Sequence, residues 1–128
     1  MAKVQIIADS CCDLEREQLE KYNIDIVPLY VILGDKSFKD GKEIGPDKIY
    51  RYYEQTRQTP KTSAANVDDF VDIFKTHINA GKQIVYIGIS SEVSSTVENA
   101  RRAAELFPES EIFIVDSRNL STGIGLLV

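Results

Sequence analysis

Three short segments of this chain are apolar almost throughout, and they constrain the fold more than any other feature of the sequence. They cover residues 4–8, 84–89 and 112–115. A strand with one face in water alternates apolar and polar residues, whereas a strand buried on both faces does not. Segments with helical periodicity lie between them. This order predicts an α/β fold in which a parallel sheet is flanked by helices on both faces.

The clearest helical segment begins after Asn66, which is a favourable N-cap residue. Its apolar residues recur at positions i, i+3, i+4 and i+7, and Gly81 follows its end. Capping, turn and periodicity signals predict the other elements. These are a helix over residues 14–22 capped by Asp13, a strand over 24–33, a helix from Gly45-Pro46 to Arg57, a polar loop over 59–65, and a helix that follows residue 96 and ends near Phe107.

The composition narrows the class of protein. The chain has 128 residues, 43% of them hydrophobic, which suits one domain with a buried core. Its formal net charge is −5 and it has no basic run, so we expect no binding to nucleic acid or to anionic membranes. No segment approaches the roughly 20 apolar residues of a membrane span, and the start of the chain lacks the apolar region of a signal peptide. We therefore expect a cytoplasmic protein without a metal site, in which Cys11 and Cys12 are reduced thiols.

A serine-rich turn, residues 90–96 (the serine turn), joins the second apolar strand to the next helix. The N–H groups of a helix N-terminus and neighbouring hydroxyls suit an oxyanion such as a carboxylate or a phosphate. A capping box of Ser95 and Glu98 explains only one of the four serines. Hydroxyl-bearing residues follow all three apolar strands, and the carboxyl ends of parallel strands meet at one sheet edge. Thr62 and Ser63 can supply hydroxyls to that edge from a second loop.

The residues alone leave three classes of function open. The first is a binding site for an acid. The second is a phosphotransferase or hydrolase that uses the turn Ser90 to Thr96 as an oxyanion site, although a serine nucleophile at Ser94 needs a nearby base. The only histidine, His77, lies within a helix, where it is expected to pack at the core boundary. The third is an interaction module in which every hydroxyl caps a helix or a turn. We assign the carboxylates that follow the strands to caps and turns rather than to Mg²⁺; they are Asp9, Asp40 and Asp116.

Several short motifs follow one another along the whole chain. They are Ile7-Ala8-Asp9-Ser10 with Asp13-Leu14, Val27-Pro28-Leu29, Phe38-Lys39-Asp40-Gly41, Pro60-Lys61-Thr62-Ser63, residues 89–96, Val115-Asp116-Ser117 and Ser121-Thr122-Gly123-Ile124-Gly125. In this order they resemble the DegV family over essentially the whole chain. The resemblance implies a Rossmann-like three-layer amino-terminal domain over residues 1–128, with a second, lipid-binding domain that lies outside this chain.

Members of this family are similar to the acyl-carrying subunit of bacterial fatty acid kinase. The resemblance therefore implies that the protein binds a long-chain fatty acid by its carboxylate and presents it to the ATP-binding catalytic subunit of the kinase. It also implies that this chain is not an enzyme and that it needs no cofactor besides the bound fatty acid. Because one domain offers only one wall of a lipid tunnel, we expect this domain alone to bind lipid weakly or not at all.

The family pattern can be carried over residue by residue. Thr62 and Ser63 match a threonine–serine pair near the carboxylate, and Ser94 matches a serine that binds it directly. The secondary candidates are Ser10, Ser95, Ser117 and Ser121. The chain departs from the pattern at a few positions, where Ser95 replaces a glycine, Ala65 and Asn66 replace a proline and a serine, and Ala8 replaces a threonine. These departures concern ligand preference rather than the fold.

Overall fold

The computed structural model describes residues 3–128, and its largest element is a sheet of four parallel strands, here called the main sheet. In spatial order the strands are β2 (Asp25–Val27), β1 (Val4–Asp9), β6 (Gln83–Gly88) and β7 (Ile112–Asp116). Every neighbouring pair is parallel. The α/β fold expected from the apolar segments is confirmed.

Helices cover one face of the main sheet with a dense apolar core. On this face α3 (Val67–Asn79) and α4 (Thr96–Ala104) pack against the strands and bury Phe70 and Tyr86 completely. The two rings meet edge to face, with centroids 4.9 Å apart. Successive side chains of a strand point to opposite faces, so the residue after Tyr86, Ile87, belongs to the opposite core.

Short helical segments cover the opposite face. A 3-10 turn (Ser10–Cys12) and α5 (Thr122–Gly125) pack over Ala8 and Ile87, and Ile124 of α5 is fully buried there. The expectation of helices on both faces is therefore confirmed. None of the helices within residues 3–128 has both the length and the apolar character needed to cross a membrane.

A second, three-stranded sheet lies beside the main sheet and is here called the small sheet. It contains β4 (Lys36–Lys39), β3 (Tyr30–Leu33) and β5 (Lys61–Ser63), and both of its pairings are antiparallel. The prediction of one strand over residues 24–33 is wrong, because the chain leaves the main sheet at Pro28 and Leu29. Proline has no N–H to donate to a ladder. The N–H of Leu29 bonds instead to the hydroxyl of Ser10, at 3.0 Å.

The expected polar loop over residues 59–65 is also wrong in part, since it contains strand β5. Thr62 of β5 pairs with Val31, and all three residues of the strand are exposed. β5 lies at the edge of the small sheet and buries no side chain, so it lacks the apolar alternation by which strands are identified. This edge position leaves the hydroxyls of β5 free of a neighbouring strand.

The helices follow the sequence signals at most of their ends. Asn66 caps α3 as predicted, since its Oδ1 accepts from the N–H of Asp69 at 2.9 Å. Helix α2 (Pro46–Thr56) begins at its proline, as predicted. Helix α1 spans only Arg16–Lys21, and the prediction that Asp13 caps it is wrong. Asp13 ends the preceding 3-10 turn in the left-handed region, with φ of 52°, whereas a capping residue has an extended backbone.

Candidate functional site

A cavity of about 320 Å³ lies at the carboxyl ends of β1 and β6, next to the small sheet. Thr62 and Ser63 of β5 line it from one side, and Ser94 and Ser95 of the serine turn line it from another. Its other lining residues are Cys11, Leu29, Tyr30, Val31, Asp40, Ala64, Ile89 and Val93. The structure thus brings the three main candidate hydroxyls to one cavity, although they come from segments about 30 residues apart.

The first half of the serine turn is closed by its own hydrogen bonds. The carbonyl oxygen of Ser90 accepts from the N–H groups of Val93, at 3.0 Å, and Ser94, at 3.1 Å. The hydroxyl of Ser90 accepts from the N–H of Glu92, at 3.2 Å. Ser90 is buried, so its hydroxyl serves the turn rather than the cavity.

Ser94, rather than Ser95, bonds to the start of α4. Its Oγ accepts from the N–H of Thr96 at 3.2 Å and lies 2.8 Å from the Oγ1 of Thr96. The capping box predicted for Ser95 and Glu98 is wrong, since Ser95 makes no side-chain cap. The backbone of Ser95, at φ −78° and ψ 2°, is not the extended conformation that turns a capping side chain back onto the helix. Glu98 instead lies beside two arginines of α4.

Two carboxylates hold the serine turn in place, at the ends of the two strands that flank β6. Asp9 is fully buried, and its Oδ2 accepts from the N–H of Ile89, at 2.7 Å, and from the hydroxyl of Tyr86, at 2.9 Å. Its Oδ1 accepts from the N–H of Cys11, at 3.0 Å. Burial raises the pKa of Asp9, and these three hydrogen bonds oppose the rise. Asp9 therefore joins β1, the 3-10 turn and β6, and two of its partners, Cys11 and Ile89, line the cavity.

Asp116 holds the turn from the side of β7. Its Oδ1 accepts from the N–H groups of Ser91, at 3.2 Å, and Arg118, at 3.1 Å. Partial desolvation acts to raise the pKa of Asp116, but hydrogen bonds from Ser91 and Arg118 outweigh it and lower the pKa. No group of three potential metal-ligating side chains occurs within the described part of the chain, and Asp9 and Asp116 act as cap and turn residues.

The cavity is neutral apart from one carboxylate. Among the described residues that line it, Asp40 is the only one with a charged side chain. Cys11 also lines the cavity, and burial, with a smaller contribution from Asp9 and Asp40, raises the pKa of its thiol to about 12. Cys11 is therefore protonated near neutral pH and is not a nucleophile. Both cysteines are free, in agreement with the expectation of thiols.

Tyr30 connects the cavity wall to helix α3, and the sequence analysis missed it. Its hydroxyl donates to the carboxylate of Asp69, with distances of 2.9 and 3.0 Å to the two oxygens. Burial and the carboxylate together raise the pKa of Tyr30 to about 12. Asp69 also bonds to the N–H of Asn66, so Tyr30 fixes the small sheet to the capped start of α3. The two partners lie 39 positions apart, and no local signal connects them.

The remaining secondary candidates lie outside the lining of this cavity. Ser10 accepts from the N–H of Leu29, as described above. Ser117 bonds to the backbone of Asn119 through both its donor and its acceptor. Ser121 donates to the carboxylate of Asp13. Ser117 therefore stabilises a local turn, whereas Ser10 and Ser121 join segments that are distant in the sequence.

The arrangement suits binding better than covalent catalysis. The hydroxyls can donate to an oxyanion, while Leu29, Val31 and Ile89 give the same cavity apolar walls. A serine nucleophile requires a base within hydrogen-bonding reach. His77 does not line the cavity and bonds to Asp25 of β2 at 2.9 Å. Asp40 lines it, but the hydroxyl of Ser94 bonds to Thr96 rather than to Asp40. The cavity therefore fits a ligand with an acidic tip and an apolar body.

Comparison with known proteins identifies a family model and a relative that match this chain. Residues 3–128 match the model of a family of uncharacterised proteins, the DegV family. The chain is 35% identical over 128 residues to a DegV domain-containing protein of Clostridium perfringens, and the match covers 100% of this chain and 46% of that protein.

Two solved structures also resemble it. A stearic acid-binding protein from Eubacterium ventriosum has a TM-score of 0.90 and 32% identity, over 99% of this chain and 45% of that one. A fatty-acid-binding DegV family protein from Thermus thermophilus has a TM-score of 0.88 and 28% identity, over 98% of this chain and 44% of that one. The chain thus spans less than half the length of these proteins, and its sequence and fold agree that it belongs to the DegV family.

Proposed function

We propose that the protein binds a long-chain fatty acid, with Thr62, Ser63 and Ser94 donating hydrogen bonds to the carboxylate. The observation that carries this proposal is that hydroxyls from β5 and from the serine turn line one cavity together with apolar side chains. The similar proteins from Eubacterium ventriosum and Thermus thermophilus, which are described as fatty-acid-binding, support the choice of ligand.

The energetics favour a ligand of this type. A charge-assisted hydrogen bond to a carboxylate contributes about 1.5–3 kcal/mol, and each fully buried CH₂ contributes about 0.8 kcal/mol. Association costs about 4–15 kcal/mol, against about 4.5–9 kcal/mol from three such hydrogen bonds, and the charge of Asp40 in the same cavity reduces that gain. A long acyl chain therefore supplies the remaining affinity, and a short acid such as acetate is expected to bind poorly.

The proposal extends to a role as a carrier. A protein that holds an acyl chain by neutral hydroxyls leaves the carboxylate chemically unchanged for a second protein. We therefore propose that the protein presents its fatty acid to an ATP-using kinase subunit, and that a second domain completes the lipid site. The hydroxyl of Ser94 bonds to Thr96 rather than to Asp40, the carboxylate of the lining, which supports a non-catalytic role.

Binding is tested with a protein that also carries the second domain proposed above, by titration with stearate and by native mass spectrometry, because residues 1–128 alone are expected to bind lipid weakly. The wild type is expected to carry an adduct of acyl mass, and Ser94→Ala and Thr62→Ala are each expected to lower the affinity about tenfold, as loss of one charge-assisted hydrogen bond implies. Ser110→Ala is a matched control, because Ser110 precedes β7 at the opposite edge of the main sheet. Equal affinities in all four proteins would overturn the assignment. Turnover of an ester or of ATP by the protein alone, lost in Ser94→Ala, would replace binding by catalysis.

A further inference from the structure

A second hydroxyl lies behind Ser94, on the side away from the cavity. Thr96 is the first residue of α4 and is fully buried, whereas Ser94 lines the cavity. The Oγ1 of Thr96 lies 2.8 Å from the Oγ of Ser94, and the N–H of Thr96 donates to the same oxygen at 3.2 Å. One residue thus makes two polar contacts with the Ser94 hydroxyl.

The hydrogen-bonding capacity of the Ser94 hydroxyl limits the directions in which its proton can point. A hydroxyl oxygen accepts two hydrogen bonds and donates one. The N–H of Thr96 occupies one acceptor position. If the hydroxyl of Thr96 donates to the other position, the proton of Ser94 is left to point away from Thr96. If the hydroxyl of Ser94 donates to Thr96 instead, Ser94 has no proton for a ligand.

We propose that Thr96 is a positioning residue for the head-group site, because it donates to Ser94 and so directs the Ser94 proton into the cavity. This inference rests on the proposed function, in which Ser94 donates to a carboxylate. Hydrogen bonds in such a chain polarise one another, so the bond from Thr96 strengthens the bond from Ser94 to the ligand. Thr96 itself is buried and does not touch the ligand.

The test removes the hydroxyl of Thr96 and follows a carboxyl-labelled fatty acid. Thr96→Val removes the hydroxyl with little change of shape, and Thr96→Ser retains it. The affinity for [1-¹³C]oleate is expected to fall roughly two- to fourfold in Thr96→Val, the size of a cooperative strengthening of one charge-assisted hydrogen bond. It is expected to return towards the wild-type value in Thr96→Ser.

A purely structural role for Thr96 is distinguished by a spectroscopic titration. The ¹³C resonance of the bound carboxyl reports its pKa, which is expected to rise in Thr96→Val because the charged form loses stabilisation. In the Ser94→Ala background Thr96→Val is expected to change neither affinity nor this pKa. Urea unfolding of each variant identifies loss of the fold. If Thr96→Val does not fold, Thr96→Ala takes its place, both alone and combined with Ser94→Ala.

Different results contradict the proposed function and the positioning role of Thr96. If the wild type binds oleate and Ser94→Ala weakens binding, but Thr96→Val matches the wild type in affinity and ligand pKa, the positioning role is overturned alone. The same holds if Thr96→Val weakens binding equally with and without Ser94. If the wild type, measured with the second domain present, binds no oleate, the proposed function fails and the inference fails with it.

Discussion

The buried carboxylate of Asp9 accepts a hydrogen bond from the backbone N–H of Ile89 over 2.7 Å. Ile89 lines the cavity and is the residue before the serine turn, so this bond connects the end of β1 to the start of the turn. The hydroxyl of Tyr86 and the N–H of Cys11 bond to the same carboxylate. The position of the turn therefore depends in part on a buried side chain that does not line the cavity.

Replacing Asp9 by asparagine is expected to destabilise the protein by about 1–3 kcal/mol. The amide has one acceptor oxygen instead of two. Its NH₂ group faces an N–H or O–H group that donates to Asp9 in the wild type, so at least one of these partners loses its hydrogen bond. Urea unfolding measures the change. Asp35→Asn is the control, because Asp35 is exposed in the turn between β3 and β4. Equal midpoints for the two variants would show that Asp9 does not hold the strands together.

Asp116 is expected to make stability depend on acidity. Its pKa is lowered from the ordinary value of 3.8, mainly by hydrogen bonds from Ser91 and Arg118 that outweigh desolvation. A carboxyl with a lowered folded pKa stabilises the protein fully above its unfolded pKa and loses this contribution as the pH falls through the folded pKa. Asp116→Asn is therefore expected to be less stable than wild type at neutral pH, by about 1 kcal/mol.

The difference between Asp116→Asn and wild type is expected to shrink as the pH falls below 3.8. Urea midpoints measured at neutral pH and under acid conditions give both values. The assignment of this pH dependence to Asp116 is contradicted if the difference stays constant across the range.

Replacing Asp40 by asparagine is expected to strengthen fatty-acid binding several-fold. Asp40 is the charged side chain among the described lining residues, and like charges about 4 Å apart repel by about 1 kcal/mol even in water. The gain in affinity over the wild type is expected to decrease with added salt, because salt screens the repulsion between Asp40 and the ligand carboxylate. Titration with stearate at low and high ionic strength measures both effects, with Asp35→Asn as the control. Weaker binding in Asp40→Asn would show that Asp40 holds the ligand instead of repelling it.

The sequence predicts the parts of the fold that bury apolar side chains in a regular pattern. The continuous apolar run over residues 84–89 predicts a central parallel strand, and β6 is that strand. Asn66 and the apolar periodicity after it predict α3. Strand β5 was missed because Lys61, Thr62 and Ser63 are exposed, and it exists only through pairing with β3.

The sequence predicts which types of residue form the candidate site, but it does not predict the hydrogen bonds among them. Serines after a buried strand indicate hydroxyls at the sheet edge, and Ser94 does line the cavity. The capping pattern selects Ser95 because Glu98 lies three residues after it, and the pattern fails because the backbone of Ser95 is not extended. The bond between Tyr30 and Asp69 joins residues 39 positions apart, so it depends on the tertiary fold.

A crystal structure of the protein with bound stearate tests the central claim most directly. We expect the carboxylate within about 3 Å of Ser94 Oγ and Thr62 Oγ1, with the acyl chain leaving along the apolar wall that includes Ile89. A carboxylate bound elsewhere, with the hydroxyls of Ser94 and Thr62 bonded only to protein, would contradict the proposed head-group site.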